Sequence, residues 1–348
     1  MKLSLHRIEL PLKRTFTISR ESLDVQPSLV VVLEHDGFLG LGEVTENAYY
    51  GHTLDAMEAA LLSAKPWLSR YVAECPETVW PAANEALNER FALSALDMAA
   101  HDLWARRKGQ RLFEAWGLAW QDIPRSSYTI GIDSIDTMVA KLQEMPGWDI
   151  YKIKLGTPHD LEIVTELRKH TQARFRVDAN CAWTVEQTIK NSYEMAELGV
   201  EFIEQPLSPN ASDADRRKVF TNSALPIIAD ENCQVTADVD KCHGQFHGVN
   251  VKICKCGGLT PAKQMLTHAK QLGLKTMLGC MIESSIGISA AAHLAPLLDY
   301  ADLDGAVLLR EEPATGVRIE QGQIQLAAGP GSGSSWKTDV VTPSPTTL

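Results

Sequence analysis

From residue 126 onward the chain repeats one simple unit. Short apolar runs recur at intervals of roughly 20 to 26 residues: "SSYTIGI", "DIYKIKLG", "RFRVDAN", "VEFIEQP", "LPIIADE", "GVNVKIC", "KTMLGCM" and "YADLDGAVLL". Amphipathic stretches such as "DLEIVTELRKHT" lie between them, with apolar residues at helical spacing. A strand followed by a helix of this length brings the next strand back parallel to the last. Eight such units predict an α/β fold: a (β/α)8-type parallel barrel. A doubly wound open sheet would want a G-x-G-x-x-G turn after an early strand, and the sequence has none.

The first third has a different texture and reads as α+β. "SLVVVLEHDGFLGLGEVT" predicts two strands joined at Asp36-Gly37. Helical patterns follow in "DAMEAALLSAKPWLSRYV" and "ERFALSALDMAAHDLWARRKG"; the second closes on Arg106, Arg107, Lys108 and Gly109, a helix C-terminus. With 348 residues, 45% of them hydrophobic, the chain is large enough for more than one domain. A net charge of -11 without any Lys/Arg block argues against a nucleic-acid partner. The N-terminal "MKLSLHRIELPLKR" alternates like a strand, and no stretch reaches about 18 apolar residues, so a membrane partner is not expected. Seven cysteines, in no disulfide-like spacing and with only a C-x-C at Cys254 and Cys256, read as reduced thiols of a cytoplasmic protein.

Catalytic groups of a parallel barrel sit at the C-terminal ends of its strands. Those ends carry, in order, Lys152 and Lys154, Asp178 and Asn180, Glu204 and Gln205, Asp230 and Glu231, Lys252, then Asp302 and Asp304. Asp178, Glu204 and Asp230 follow one another at separations of 26 residues, one strand–loop–helix unit each. Three carboxylates at one mouth repel unless a cation stands among them. An all-oxygen set suits Mg²⁺, with Mn²⁺ able to substitute, rather than Zn²⁺. Any one of these acids alone would read equally well as a helix cap or an arginine partner.

Lys152 and Lys154 share one face of a short strand. Burying an unpaired ammonium costs several kcal/mol, roughly, and the outer face of a barrel strand meets apolar helices. Both lysines therefore point to the mouth. Lys154 on the second strand and Lys252 on the sixth stand roughly opposite each other. A cation and a neighbouring ammonium lower a lysine's pKa, so one lysine can serve as a neutral base. Lys152 would supply such a charge and hold a substrate carboxylate. A cation with an ammonium stabilises the enediolate left when the α-proton departs. Two bases on opposite faces then invert the carbon, as a racemase or epimerase does. One base with a leaving group would give elimination instead.

Together the motifs resemble the enolase superfamily in its muconate-lactonizing subgroup. They are "KIK" at 152–154, "VDAN" at 177–180, "EQP" at 204–206, "ADE" at 229–231 and "VKICKCGGLT" at 251–260. Sites of that superfamily use a Lys or His base with one or two Mg²⁺ ions. The resemblance implies one Mg²⁺ per subunit on Asp178, Glu204 and Asp230, with Lys154 and Lys252 as catalytic bases. It makes residues 1–120 an α+β capping domain, with "GLGEVT" in its expected place, and 121–309 the catalytic barrel, in the modified form (β/α)7β. Residues 310–328 would return to the cap, and the Gly/Ser/Pro-rich 329–348 would form a tail. A homo-oligomer is expected.

Within the subgroup the chain is most similar to the dipeptide epimerases, those of Ala-Glu type above all. "DLDG" at 302–305 carries the resemblance. Asp302 and Asp304 share a face, and paired carboxylates suit a cationic amine; the resemblance assigns them to the free ammonium of a dipeptide. Arg20 in "TFTISRES" matches an arginine near the substrate's acidic side chain. It would suit a glutamate by a bidentate contact, and would equally pair with a protein acid. Thr129 matches a substrate-contacting position, and "ENAYYGHT" at 46–53 a second loop over the substrate, with Glu46, Tyr49, Tyr50 and His52. Lys255 and Glu231 carry less weight than Lys252 and Asp230, Glu283 has an orienting role at most, and His293 reads as core. The implied activity is Mg²⁺-dependent inversion of the C-terminal residue's α-carbon in a dipeptide, by two-base 1,1-proton transfer. An o-succinylbenzoate synthase, an N-acylamino acid racemase or a cycloisomerase would have no use for Asp302 and Asp304. A non-catalytic dipeptide- or metal-binding relative would not need two opposed lysines.

Overall fold

The computed structural model describes residues 1–337 and the short strand Thr346–Thr347. The N-terminal unit is an antiparallel sheet of β1 (Lys2–Ile18), β2 (Glu21–His35) and β3 (Phe38–Thr45). Thr346–Thr347 pairs with β1 at its outer edge. Asp36 and Gly37, at φ 49° and 79°, make the tight turn between β2 and β3. The sheet packs on the long helix Arg90–Arg107. Contact is so close that a Cβ on Gly40 would lie 2.1 Å from Ala99 O, and one on Gly42 2.0 Å from Ala95 O. This close approach accounts for the alternating glycines of "GLGEVT". The expected helix over 55–72 is broken into Leu54–Ser63, Lys65–Leu68 and Arg70–Ala73. Pro66 accounts for the first break, at Ala64: it has no N–H to continue the helical ladder and so sits in the first turn of the next helix.

The barrel has eight parallel strands: β4 (Tyr128–Ile130), β5 (Ile150–Lys154), β6 (Arg174–Asp178), β7 (Val200–Glu204), β8 (Ile227–Ala229), β9 (Gly248–Lys252), β10 (Lys275–Gly279) and β11 (Tyr300–Asp302). They pair in sequence order, and a parallel bridge from Ser126 to Ala301 closes the ring. A helix follows each strand from β4 to β10, but β11 leads only into the 3-10 turn Gly305–Leu308, which is the (β/α)7β pattern. Phe202, Ile228 and Met277 form a buried cluster inside the ring, and Arg176 lies between the Phe202 and Tyr300 rings. Two residues further along the strands the inward side chains become Asp178, Glu204 and Asp230. Among the described residues no helix is long and apolar enough to cross a membrane.

Two cap carboxylates reach into the barrel. Asp97 accepts Thr260 N at 2.8 Å and Thr260 Oγ1 at 3.0 Å, at the start of the helix Leu259–Gln271. Glu43 accepts Ser284 N, Ser284 Oγ and Gly287 N at the start of the helix Ser285–Ala292. Each acid satisfies orphan N–H groups at the positive end of a helix.

The C-terminal segment meets the cap at its start, where Ala314 packs with Val30 and Leu41. Arg310 N bonds Pro11 O at 2.8 Å, but the hairpin of Arg318–Glu320 and Gln323–Gln325 then lies below β4, where Ser126 N bonds Gly322 O at 2.8 Å. Contact with the cap resumes in the stretch expected as a Gly/Ser/Pro-rich tail. Ser332 and Ser334 are buried; Ser332 N bonds Asp102 Oδ1 at 2.6 Å, and Arg106 Nη2 bonds Ser334 O at 2.6 Å. Composition misleads here because the helix binds this stretch through its backbone. The remainder of the expected tail, residues 338–345 and 348, lies outside the described residues.

Candidate active site

Lys154 pairs in register with Asp178, and Asp178 with Glu204. Three adjacent strands thus present one charged side chain each at one level. Gly279 pairs with Lys252 on one side and Asp302 on the other, forming the facing level. Carboxylate oxygens of Asp178, Glu204 and Asp230 lie within 4.8 Å of one another, all buried.

The lysines are interleaved with these acids. Lys152 Nζ is 2.7 Å from Glu204 Oε2 and 2.7 Å from Asp302 Oδ2. Lys154 Nζ is 2.6 Å from Asp178 Oδ2, and Lys252 Nζ is 3.0 Å from Asp230 Oδ2. Lys255 also reaches the site: its ammonium pairs with Asp230 Oδ1 and donates to Asp230 O at 2.7 Å. Burial alone would raise all three carboxyl pKa values. Lys154 and Lys152 nonetheless hold Asp178 below the ordinary range, and Lys252 and Lys255 hold Asp230 well below it. Glu204 is pushed up to about 7, because burial outweighs Lys152 and both aspartates repel its charge. Burial works against the charged form of Lys252, but Asp230 attracts more strongly and holds its pKa up.

Local geometry aims the acids. Asn180, at φ 44°, donates its backbone N–H to Asp178 Oδ1 at 2.9 Å. Gln205, at φ 34°, accepts Asp230 N through Oε1 at 3.0 Å. Such left-handed residues outside glycine concentrate at functional sites. Asn250 Nδ2 donates to Glu204 Oε1 at 2.8 Å. Gly279 makes room for it, since a Cβ there would lie 2.8 Å from the Asn250 amide. The sequence reading missed Asn250, although it precedes Lys252 by two and so shares its inward face.

These donors fit a hard divalent cation. Asn180 Oδ1 and Glu204 Oε2 are buried acceptors without a hydrogen bond; Glu204 Oε2 has the Lys152 ammonium near it but not at bonding angle. The set is all oxygen, as Mg²⁺ prefers.

Asp302 and Asp304 line the same cavity as Lys152, Lys154 and Lys252. Asp302 accepts from Ser127 Oγ at 2.7 Å and Lys152 Nζ at 2.7 Å. Burial would raise its pKa, but Lys152 holds it at about 2. Asp304 accepts Thr129 N at 2.6 Å and Thr129 Oγ1 at 3.3 Å; burial and the Asp302 charge push it up to about 7. Thr129 thus positions Asp304 as well as lining the cavity.

The expected substrate contact at Arg20 takes its alternative form. Arg20 Nη2 pairs with Glu231 Oε1 at 2.8 Å, and the guanidinium lies 3.9 Å from the Tyr49 ring centre. In the 46–53 loop, Asn47 and Tyr50 line the cavity, Glu46 caps the helix at Leu54 N, and His52 stacks on Phe91. Glu283 Oε1 accepts Met281 N at 3.0 Å. His293 is buried, bonded to Phe113 N and Ser332 O.

Residues 3–117 match the family described as mandelate racemase / muconate lactonizing enzyme, N-terminal domain, and residues 135–340 match the enolase C-terminal domain-like family. The chain belongs to the mandelate racemase / muconate lactonizing enzyme family of the enolase superfamily. It is 54% identical to an L-Ala-D/L-amino acid epimerase of Flavobacterium johnsoniae, over 96% of this chain and 99% of that protein. Among solved structures it is similar to the substrate-liganded L-Ala-D/L-Glu epimerase of Bacillus subtilis, at TM-score 0.88 and 27% identity, covering 95% of this chain and 97% of that one. A dipeptide epimerase of Enterococcus faecalis, complexed with Mg and L-Leu-L-Tyr, matches at TM-score 0.88 and 28% identity over 96% of this chain and 99% of that one.

Proposed function

We propose that this protein is a dipeptide epimerase that inverts the α-carbon of the C-terminal residue of a free dipeptide. One observation carries the reading. Lys154 and Lys252 stand on β5 and β9, four strands apart in an eight-stranded ring, on either side of a buried acid triad. Asp302 and Asp304 occupy the same cavity, where a substrate ammonium would complete their pairing.

In this reading Asp178, Glu204 and Asp230 hold one Mg²⁺, or Mn²⁺ in its place. Held there, the cation would offset most of the charge of the three carboxylates, supply Lewis-acid polarisation of the substrate carboxylate and weaken the carboxylates' hold on the neighbouring ammonium groups. Lys152 binds the carboxylate from the barrel floor. Lys154 removes or returns the α-proton on one face, and Lys252 does so on the other. Asp302 and Asp304 fix the ammonium, and Thr129 fixes Asp304. The cap hairpin of β1 and β2 covers the cavity and excludes water.

Proton NMR of L-Ala-L-X dipeptides with enzyme and Mg²⁺ in D₂O tests this. The C-terminal α-proton should exchange and the D-epimer should accumulate. No exchange into any dipeptide of a broad set would sink the reading.

A further inference from the structure

The cap hairpin turns one face to the cavity. Phe16 pairs with Leu23 and Ile18 with Glu21, and all four line the cavity. Thr17 and Ser22 pair on the other face, their hydroxyls 2.9 Å apart. Besides Arg20, which also lines the cavity, the inward face carries three apolar side chains and one acid. Arg20 sits at the tip between the strands, already paired with Glu231, whose side chain is 1% exposed. Among the described residues Glu21 has no ion-pair partner.

This hairpin meets one part of the substrate. An α-carbon between Lys154 and Lys252 turns its carboxylate toward the triad and Lys152, and its peptide nitrogen toward Asp302 and Asp304. The side chain of the inverted residue has the cap as its remaining direction. Ser19 Oγ reaches Asn180 O at 3.4 Å, so the hairpin crosses the mouth directly above Lys154 and Asp178.

We infer that the inverted residue of the preferred dipeptide carries an uncharged apolar side chain, seated against Ile18, Leu23, Tyr50 and Met281. This rests on the epimerase reading above. An acidic side chain would meet Glu21 and find its one nearby cation engaged. Burying a carboxylate without a partner costs far more than apolar contact returns. A basic side chain would gain Glu21 but place its charge beside Arg20, and would forgo the apolar wall.

Initial rates with L-Ala-L-Leu, L-Ala-L-Glu and L-Ala-L-Lys, at saturating Mg²⁺, test the inference. The Leu dipeptide should lead the other two in kcat/KM by about tenfold or more. Fastest turnover of the Glu or the Lys dipeptide overturns it while leaving the epimerase reading intact; exchange in none of the three bears on that reading instead. Two variants test the residues. Glu21→Gln should narrow the gap between Leu and Glu dipeptides, and Ile18→Arg, which puts a cation on the inward face, should narrow it further. Both variants keeping the wild-type ratio, with melting curves showing them folded, would overturn the role given to the hairpin. If either fails to fold, the wild-type ratio and the other variant still decide.

Discussion

Asp97 of the cap helix accepts the backbone N–H of Thr260, in the first turn of a barrel helix, at 2.8 Å. A side chain from one unit thus completes a helix terminus of the other. Asp97→Ala leaves that N–H unpaired in a fully buried place and takes one partner from the Thr260 hydroxyl, which keeps His101 Nε2. It should cost about 1–3 kcal/mol of stability in urea unfolding. Asp97→Asn, which keeps an acceptor, should cost less. Equal losses in the two would show that the contact does not hold the junction.

His293 gives the fold a pH dependence of definite sign. Its Nδ1 accepts Phe113 N and its Nε2 donates to Ser332 O, so the neutral ring has both nitrogens occupied. Burial lowers its pKa from 6.5 to about 4. Above pH 6.5 both folded and unfolded chains hold it neutral, and its contribution is fully present. As pH falls toward 4 only the unfolded chain takes up the proton, so stability drops by about 1.4 kcal/mol per pH unit from this group. His293→Gln should flatten the fall in unfolding free energy between pH 6.5 and 4.5 by that slope. An unchanged slope would place the titration elsewhere.

Lys255 touches Asp230 but does not line the cavity. It should therefore act through the carboxylate it holds. Lys255→Met is expected to weaken Mg²⁺ binding by about 10- to 100-fold, read by calorimetry without substrate. Lys255→Arg should recover part of the loss. Unchanged affinity in the Met variant would mean that Asp230 needs no such support.

Lys154 and Lys252 should divide the two faces of the α-carbon between them. Removing either should lower epimerisation by at least about 10²–10⁴-fold. Each single alanine variant should still exchange the α-proton of one epimer in D₂O, and the two variants should spare opposite epimers. Full epimerisation by either variant would end the two-base assignment.

Much of this centre was readable in advance for a physical reason. A strand has period 2 and a barrel unit a nearly constant length, so residues bound for the mouth recur at fixed spacing, as Asp178, Glu204 and Asp230 do. Asn250 was open to the same logic, lying two residues before Lys252, but an amide draws less notice than a charge. Arg20 could not be placed, because its partner Glu231 depends on how a hairpin crosses the mouth. Asp97 and Glu43 were hidden likewise: each caps a helix far away in sequence. Pro66 did mark the broken cap helix, and there the apolar periodicity around it misled.

The bond between Asp102 and Ser332 spans 230 residues of sequence. At about 5–20 residues per second, a ribosome needs roughly ten to fifty seconds to travel from one partner to the other. Throughout that interval the emerging cap helix carries a carboxylate meant for the protein interior with one of its partners not yet made. The cap leaves the ribosome before the barrel yet is completed after it, and a nascent chain halted before Ser332 would present an unfinished cap to the cell's chaperones and proteases.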